Sequence, residues 1–146
     1  VRDNIVFGAP YVDDSAVLRA AILSGVSEFV NRHPSGFNLP VGERGSELSG
    51  GQRQGVVIAR SLLLDPPIML MDEPTNSMDN GTEERLKAKM VSILEGKTLL
   101  LVTHRASLLD LVDRIILIDN GAVVADGPKD KVREALRLGK FRVVKH

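Results

Sequence analysis

The chain has 146 residues, 43% of them hydrophobic, enough for one domain with a real core and too few for two ordinary ones. Lys plus Arg and Asp plus Glu balance at 19 each, so no bulk field draws the chain to nucleic acid or to an acidic membrane surface, and any anion recognition has to be local. There is no cysteine, which excludes a disulfide framework and Cys-based zinc sites and fits a reducing compartment. The longest apolar runs, such as Ile68 to Met71 and Leu99 to Val102, fall far short of the roughly 20 residues that span a bilayer. The chain opens on Val1 with neither a Met nor a signal-like stretch, which suggests a segment cut from something longer.

In chain order, Ser15 is placed to cap a helix from Ala16 to about Ser24 that stops at Gly25. A shorter helix around Ser27 to Arg32 has to end before Pro34. From Ser35 to Gly51 the chain is rich in Gly, Ser, Pro and charge, the composition of a long ordered loop, and loops of that length usually carry function. A helix follows from Gly51 to about Leu64 and ends at Pro66-Pro67.

The second half alternates strand and helix. Ile68 to Met71, Leu99 to Val102, Ile115 to Ile118 and Val123 to Ala125 have the length and branching of buried strands. Between the first two, Asn80 and Glu83 are spaced as a capping box, Leu86, Met90, Ile93 and Leu94 share a face, and Gly96 is the stop. Asn120-Gly121 predicts a two-residue hairpin, and Gly127-Pro128 opens a last helix to about Leu138. The alternation implies an α/β fold with a parallel sheet and an antiparallel C-terminal hairpin at one edge.

Three segments carry chemistry. Leu48-Ser49-Gly50-Gly51-Gln52 runs into Arg53-Gln54 and a helix; a Ser and two glycines at a helix start leave backbone N–H groups aimed outward, and the helix dipole adds partial positive charge. The ligand such a start favours is a phosphate. Next, an apolar strand ends in Asp72 and Glu73, where one acid can hold Mg²⁺ and the other can orient or deprotonate a water; alternation would set the two on opposite sides of the strand. His104 follows the next strand, in Val102-Thr103-His104-Arg105, where an imidazole could contact a γ-phosphate or brace the attacking water. His33 and His146 have no such setting and read as loop and terminal residues.

In their order and spacing, Leu48 to Gln52, Ile68 to Glu73, Asn76 to Asp79 and His104 resemble the nucleotide-binding domain of ABC transporters, and the resemblance covers essentially the whole chain. It implies the C-terminal part of an ABC ATPase, a partial P-loop NTPase core, with a helical signature subdomain over residues 1–64 and the C-terminal half of the core over 65–146. It also implies roles. Ser49 and Gly51, with Gly50 and Gln52 beside them, resemble the signature contacts to the γ-phosphate of ATP held by the opposite subunit. Asp72 resembles the acid that supports Mg²⁺ through water, Glu73 the general base, Asp79 the acid that crosses the dimer interface, and His104 the switch histidine. Gly42-Glu43-Arg44-Gly45 is similar to the segment that in exporters touches the membrane domain. Val1 to Pro10, Arg32-His33-Pro34 and Asn120 to Pro128 resemble the ATPases of type I secretion.

The expected partners are therefore a second nucleotide-binding domain, a transmembrane domain and, in a type I system, a membrane fusion protein and an outer-membrane channel. No nucleic acid is expected. The implied place is the cytoplasmic face of a bacterial inner membrane, and the implied cargo is a large toxin or adhesin. Two alternatives stand beside this: a soluble ABC ATPase outside transport, and a non-catalytic interaction module.

Three departures from the family pattern matter. The interface segment reads Asn76-Ser77-Met78-Asp79, which keeps the acid and changes its neighbours. Gly55 sits inside the signature helix at a cost of up to about 1 kcal/mol relative to Ala. The only Gly-Lys-Thr, Gly96-Lys97-Thr98, has Val91 where a Walker A loop needs its first Gly, so it is a helix stop running into a strand. Without a Walker A loop nothing grips the β-phosphate, and the 146-residue piece is expected to be catalytically silent. Its strands, lacking neighbours, are expected to drive a dimer or swapped assembly.

Overall fold

The computed structural model describes residues 1–9 and 11–139; Pro10 and His146, named above, lie outside the described residues. It is an α/β chain whose contacts cluster into two units, Val1–Val102 and Thr103–His146.

The first unit opens with a single helical turn, α1 (Arg2–Ile5), then α2 (Asp14–Ser24) and α3 (Val26–Val30). The cap of α2 is Asp13 rather than Ser15: its carboxylate accepts from the Ala16 N–H at 2.6 Å and from the Ser15 hydroxyl at 2.8 Å, so Ser15 serves as donor to the cap. A carboxylate at a helix start also gains from the dipole, which a hydroxyl does not. Gly25 ends α2 in the left-handed conformation, as expected, and the same residue starts α3. The predicted loop after α3 contains two short 3₁₀ turns, Gly36–Asn38 and Glu43–Gly45.

The helix that carries the signature, α4 (Gly50–Leu62), packs against α1, α2 and α3. Val56, Ile58, Ala59 and Leu62 supply its buried face, which meets Ala20, Ala21, Val26 and Val30 in the core. The chain then forms β1 (Ile68–Asp72), α5 (Asn80–Ile93) and β2 (Thr98–Val102). β1 and β2 pair in parallel, with Asp72 opposite Val102. Gly96 to Thr98 is the helix stop expected: Gly96 has φ 72°, Lys97 pairs with Asp65, and the Thr98 N–H bonds to the Pro67 carbonyl at 2.9 Å.

The cap of α5 corrects a second expectation. Asp79, not Asn80, accepts from the Thr82 N–H, and Glu83 is buried at 4% exposure. Two adjacent residues of capping type competed, and the charged one, which also takes the Thr82 hydroxyl, prevails.

In the second unit a six-residue 3₁₀ segment, Ala106–Leu111, leads to β3 (Arg114–Asp119), β4 (Ala122–Pro128) and α6 (Lys129–Arg137). The hairpin turns at Asn120-Gly121, both left-handed with φ 48° and 77°, and Arg114 and Asp126 form a cross-strand ion pair at 2.7 Å. The hairpin was expected at the edge of the parallel sheet; the described strands pair instead as two separate two-stranded sheets.

Met69 is buried on one face of the parallel pair, while Leu70 and Leu100 on the other are 73% and 54% exposed. Parallel strands are ordinarily covered on both faces. In light scattering the isolated 146-residue chain is therefore expected to exceed its 15.9 kDa monomer mass, and Leu70→Glu with Leu100→Glu to return it to monomer. A monodisperse unsubstituted monomer would contradict this. A second prediction concerns Gly55, buried in α4: a Cβ there would lie at ordinary contact distance, 3.4 Å from the Ser24 carbonyl oxygen and 3.6 Å from Val26 Cγ2. Gly55→Ala should then raise stability by about 0.5–1 kcal/mol in chemical denaturation, since the helix gains and nothing is displaced.

Candidate functional site

The start of α4 is built by a reciprocal cap. Ser49 Oγ accepts from the Gln52 N–H at 3.2 Å, and the Gln52 side chain accepts from the Ser49 N–H at 2.8 Å. This satisfies two of the otherwise unpartnered donors and fixes the direction in which the Gly50 and Gly51 amides face. The glycines have a second cause. A Cβ on Gly50 would stand 3.1 Å from Ser77 Cβ, and one on Gly51 3.5 Å from the Ser77 carbonyl oxygen, so the helix start is seated against the turn that follows β1.

Ser49, Gly50, Gly51, Gln52 and Asp79 line one cavity of about 490 Å³. Its wall also carries Glu28, Arg32, Arg85 and Lys89, three bases in all against the two acids Glu28 and Asp79. Glu28 is shared by Lys89 at 3.2 Å and Arg85 at 3.8 Å. The local excess of positive charge, together with the helix dipole, suits a phosphate, which the neutral whole could not attract at range.

Asp72 ends β1 exposed, and Glu73 leaves the strand with φ 43°, its N–H bonded to the Val102 carbonyl at 2.9 Å. Strand alternation therefore stops at Asp72 and does not orient Glu73, contrary to the sequence reading. A left-handed non-glycine residue is strained, and such strain concentrates at functional positions. Neither acid is among the residues lining the cavity. His104 is exposed in the turn after β2, in the second unit. Among the described residues no group of three or more His, Asp or Glu could hold a metal by itself.

Sequence reasoning missed Ser77 as the seat of the glycines, because the two are far apart in the chain. It also missed Arg53, whose Nη1 bonds to the Gly45 and Leu48 carbonyls, partners that leave no residue-type signal.

The ABC transporter family model matches residues 15–76. The chain is 37% identical over 127 residues to an ATP-dependent lipid A-core flippase of Saccharophagus degradans, covering 87% of this chain and 22% of the relative. It is 35% identical over 146 residues to the beta-(1→2)glucan export ATP-binding/permease protein NdvA of Agrobacterium vitis, covering 100% of this chain and 25% of the relative. A solved bacterial Atm1-family ABC exporter with ATP bound superposes with TM-score 0.85 at 33% identity, covering 94% of this chain and 24% of that one. The chain belongs to the ABC transporter nucleotide-binding family. It spans about a quarter of the length of these curated relatives.

The capping geometry gives a pH prediction. Hydrogen bonds from the Thr82 hydroxyl and N–H hold the Asp79 carboxyl below its ordinary value. A carboxylate depressed on folding stabilises fully above its unfolded pKa and loses that contribution as pH falls through the folded value. Asp79→Asn should therefore flatten the acid side of the stability curve below the ordinary aspartate range, read from urea midpoints at successive pH values. An unchanged slope would mean that the cap does not hold in solution.

Proposed function

We propose that this chain supplies the signature helix, the strand-end carboxylates and the switch histidine of an ATP-hydrolysing ABC exporter motor. The supporting observation is that Ser49, Gly50, Gly51 and Gln52, at a capped helix start, line one cavity with Arg32, Arg85 and Lys89; in this reading a second copy brings its own nucleotide and carboxylates to that cavity. In this reading the amides at the start of α4, with Ser49 and Gly51, receive the γ-phosphate of ATP held by the partner copy. Glu73 accepts the proton of a water as its oxygen attacks the γ-phosphorus, and the bond to the β-phosphate oxygen breaks. His104 braces that water or the phosphate. Asp72 would be the residue to hold Mg²⁺, which when bound would offset phosphate charge. Asp79, the cap of α5, borders the same cavity and is assigned to the dimer interface.

An exporter assignment implies a transmembrane domain as partner and the cytoplasmic face of a bacterial inner membrane as location. No helix among the described residues is long and apolar enough to cross a membrane. The narrower assignment to type I secretion of a toxin or adhesin, with a membrane fusion protein and an outer-membrane channel, rests on Val1 to Pro10, Arg32 to Pro34 and Asn120 to Pro128. Asn120-Gly121 makes a turn common to tight hairpins, and the relatives above are named as a lipid A-core flippase and a glucan export protein. The broader exporter assignment is the one carried forward.

The test is Mg-ATP binding and hydrolysis by the 146-residue chain and by a longer polypeptide in which a Walker A half precedes it. Only the longer protein should bind and turn over. Glu73→Gln should lower its turnover by about a hundredfold or more with binding retained, the size expected for loss of a general base. Glu73-dependent hydrolysis by the short chain would overturn the reading.

A further inference from the structure

Arg53 lines no part of the cavity, yet it holds the segment before the signature at two points. Its Nη1 donates to the Leu48 carbonyl at 2.6 Å and to the Gly45 carbonyl at 3.2 Å. Leu48 is the buried residue directly before the cap Ser49. Gly45 is at the far side of a turn closed by its own bonds, Ser46 N–H to Glu43, Glu47 N–H to Val41 and Leu48 N–H to Gly45. Three residues of that turn, Gly42, Arg44 and Gly45, are left-handed with φ 70°, 53° and 79°, so its path is specified and not merely permitted. A Cβ on Gly45 would stand 2.6 Å from Arg53 Cδ, which shows how closely the arginine stem lies on the turn.

On its other side the start of α4 is seated on Ser77 and Met78. The first turn of α4 is thus held between two surfaces, a fixed turn joined by a guanidinium and the backbone after β1. We infer that Arg53 is a positioning residue that couples the segment Gly42–Leu48 to the signature, so that a displacement of the segment moves Ser49 to Gln52 with it. Both bonds leave one nitrogen, Nη1, whose N–H directions are fixed by the planar guanidinium; a lysine ammonium rotates freely on a flexible stem and holds the carbonyls less rigidly. Arg53 is exposed and lies on a helix, so its replacement by a good helix former removes the grip without removing core. The consequence for turnover rests on the function proposed above; the coupling itself does not.

The experiment compares the full-length protein carrying these residues with its Arg53→Met and Arg53→Lys variants, by amide hydrogen exchange over residues 42–53 and by steady-state ATP kinetics. Arg53→Met is expected to speed exchange at Glu47 and Leu48 and also at Ser49 and Gln52, by about tenfold, the scale of one lost charge-assisted bond. It should lower kcat by about tenfold while KM for ATP stays within about twofold, because the signature is not the site that first binds the nucleotide. Arg53→Lys should recover part of both effects. If Arg53→Met loosens only residues 42–48 and leaves Ser49, Gln52 and kcat unchanged, the arginine merely ties down a loop and the inference is overturned. If both segments loosen together in a protein that hydrolyses no ATP, the coupling stands and the proposed function is what fails.

Discussion

The close seating of Gly50 on Ser77 is the constraint on which the site depends. With 3.1 Å between a notional Cβ and Ser77 Cβ, any larger residue at 50 has to push the turn after β1 by a few tenths of an ångström. The turn cannot yield freely. It begins where the Glu73 N–H is tied to Val102 and ends where Asp79 caps α5. One tight contact therefore fixes the first turn of α4 relative to the strand-end acids and to the start of α5. The cavity lined by Ser49, Gln52 and Asp79 is a consequence of that seating.

Magnitudes show what this arrangement can do alone. A helix start contributes about 0.3–1 kcal/mol to a neighbouring anion when solvent has access. Partly exposed pairs such as Glu28 with Lys89 and with Arg85 contribute about 0–1 kcal/mol and already engage two of the cavity's three bases. Such terms orient a phosphate; they do not retain one at micromolar concentration, which requires about 8 kcal/mol. On the function proposed above, the signature would complete a site whose main grip is elsewhere.

The sequence made the large features legible and the joints less so. Strands came from apolar runs of the right length, the Asn120-Gly121 hairpin from turn chemistry, and the boundary of α2 from Gly25, because each of those signals is local. Capping failed twice for one reason: at Asp13 with Ser15, and at Asp79 with Asn80, neighbouring residues of capping type compete, and the choice is made by geometry that spacing does not encode. The residues of the signature were visible as a pattern, whereas the reason for two glycines was not, since Ser77 approaches from a distant part of the chain. Arg53 was invisible because its partners are carbonyl oxygens, which every residue has.

Two kinds of incompleteness coexist in the first unit, and they differ physically. The Leu70 and Leu100 face is apolar, and hydrophobic association is non-directional, so a second copy can cover it in more than one register. The amides at the start of α4 are directional and accept only a group that presents oxygens at their spacing. Contacts made through the first face need bear no relation to those made through the second. An assembly of the short chain driven by Leu70 would thus leave the signature unengaged, and only added nucleotide could separate the two modes, because nucleotide rewards the directional contact and leaves the apolar one indifferent.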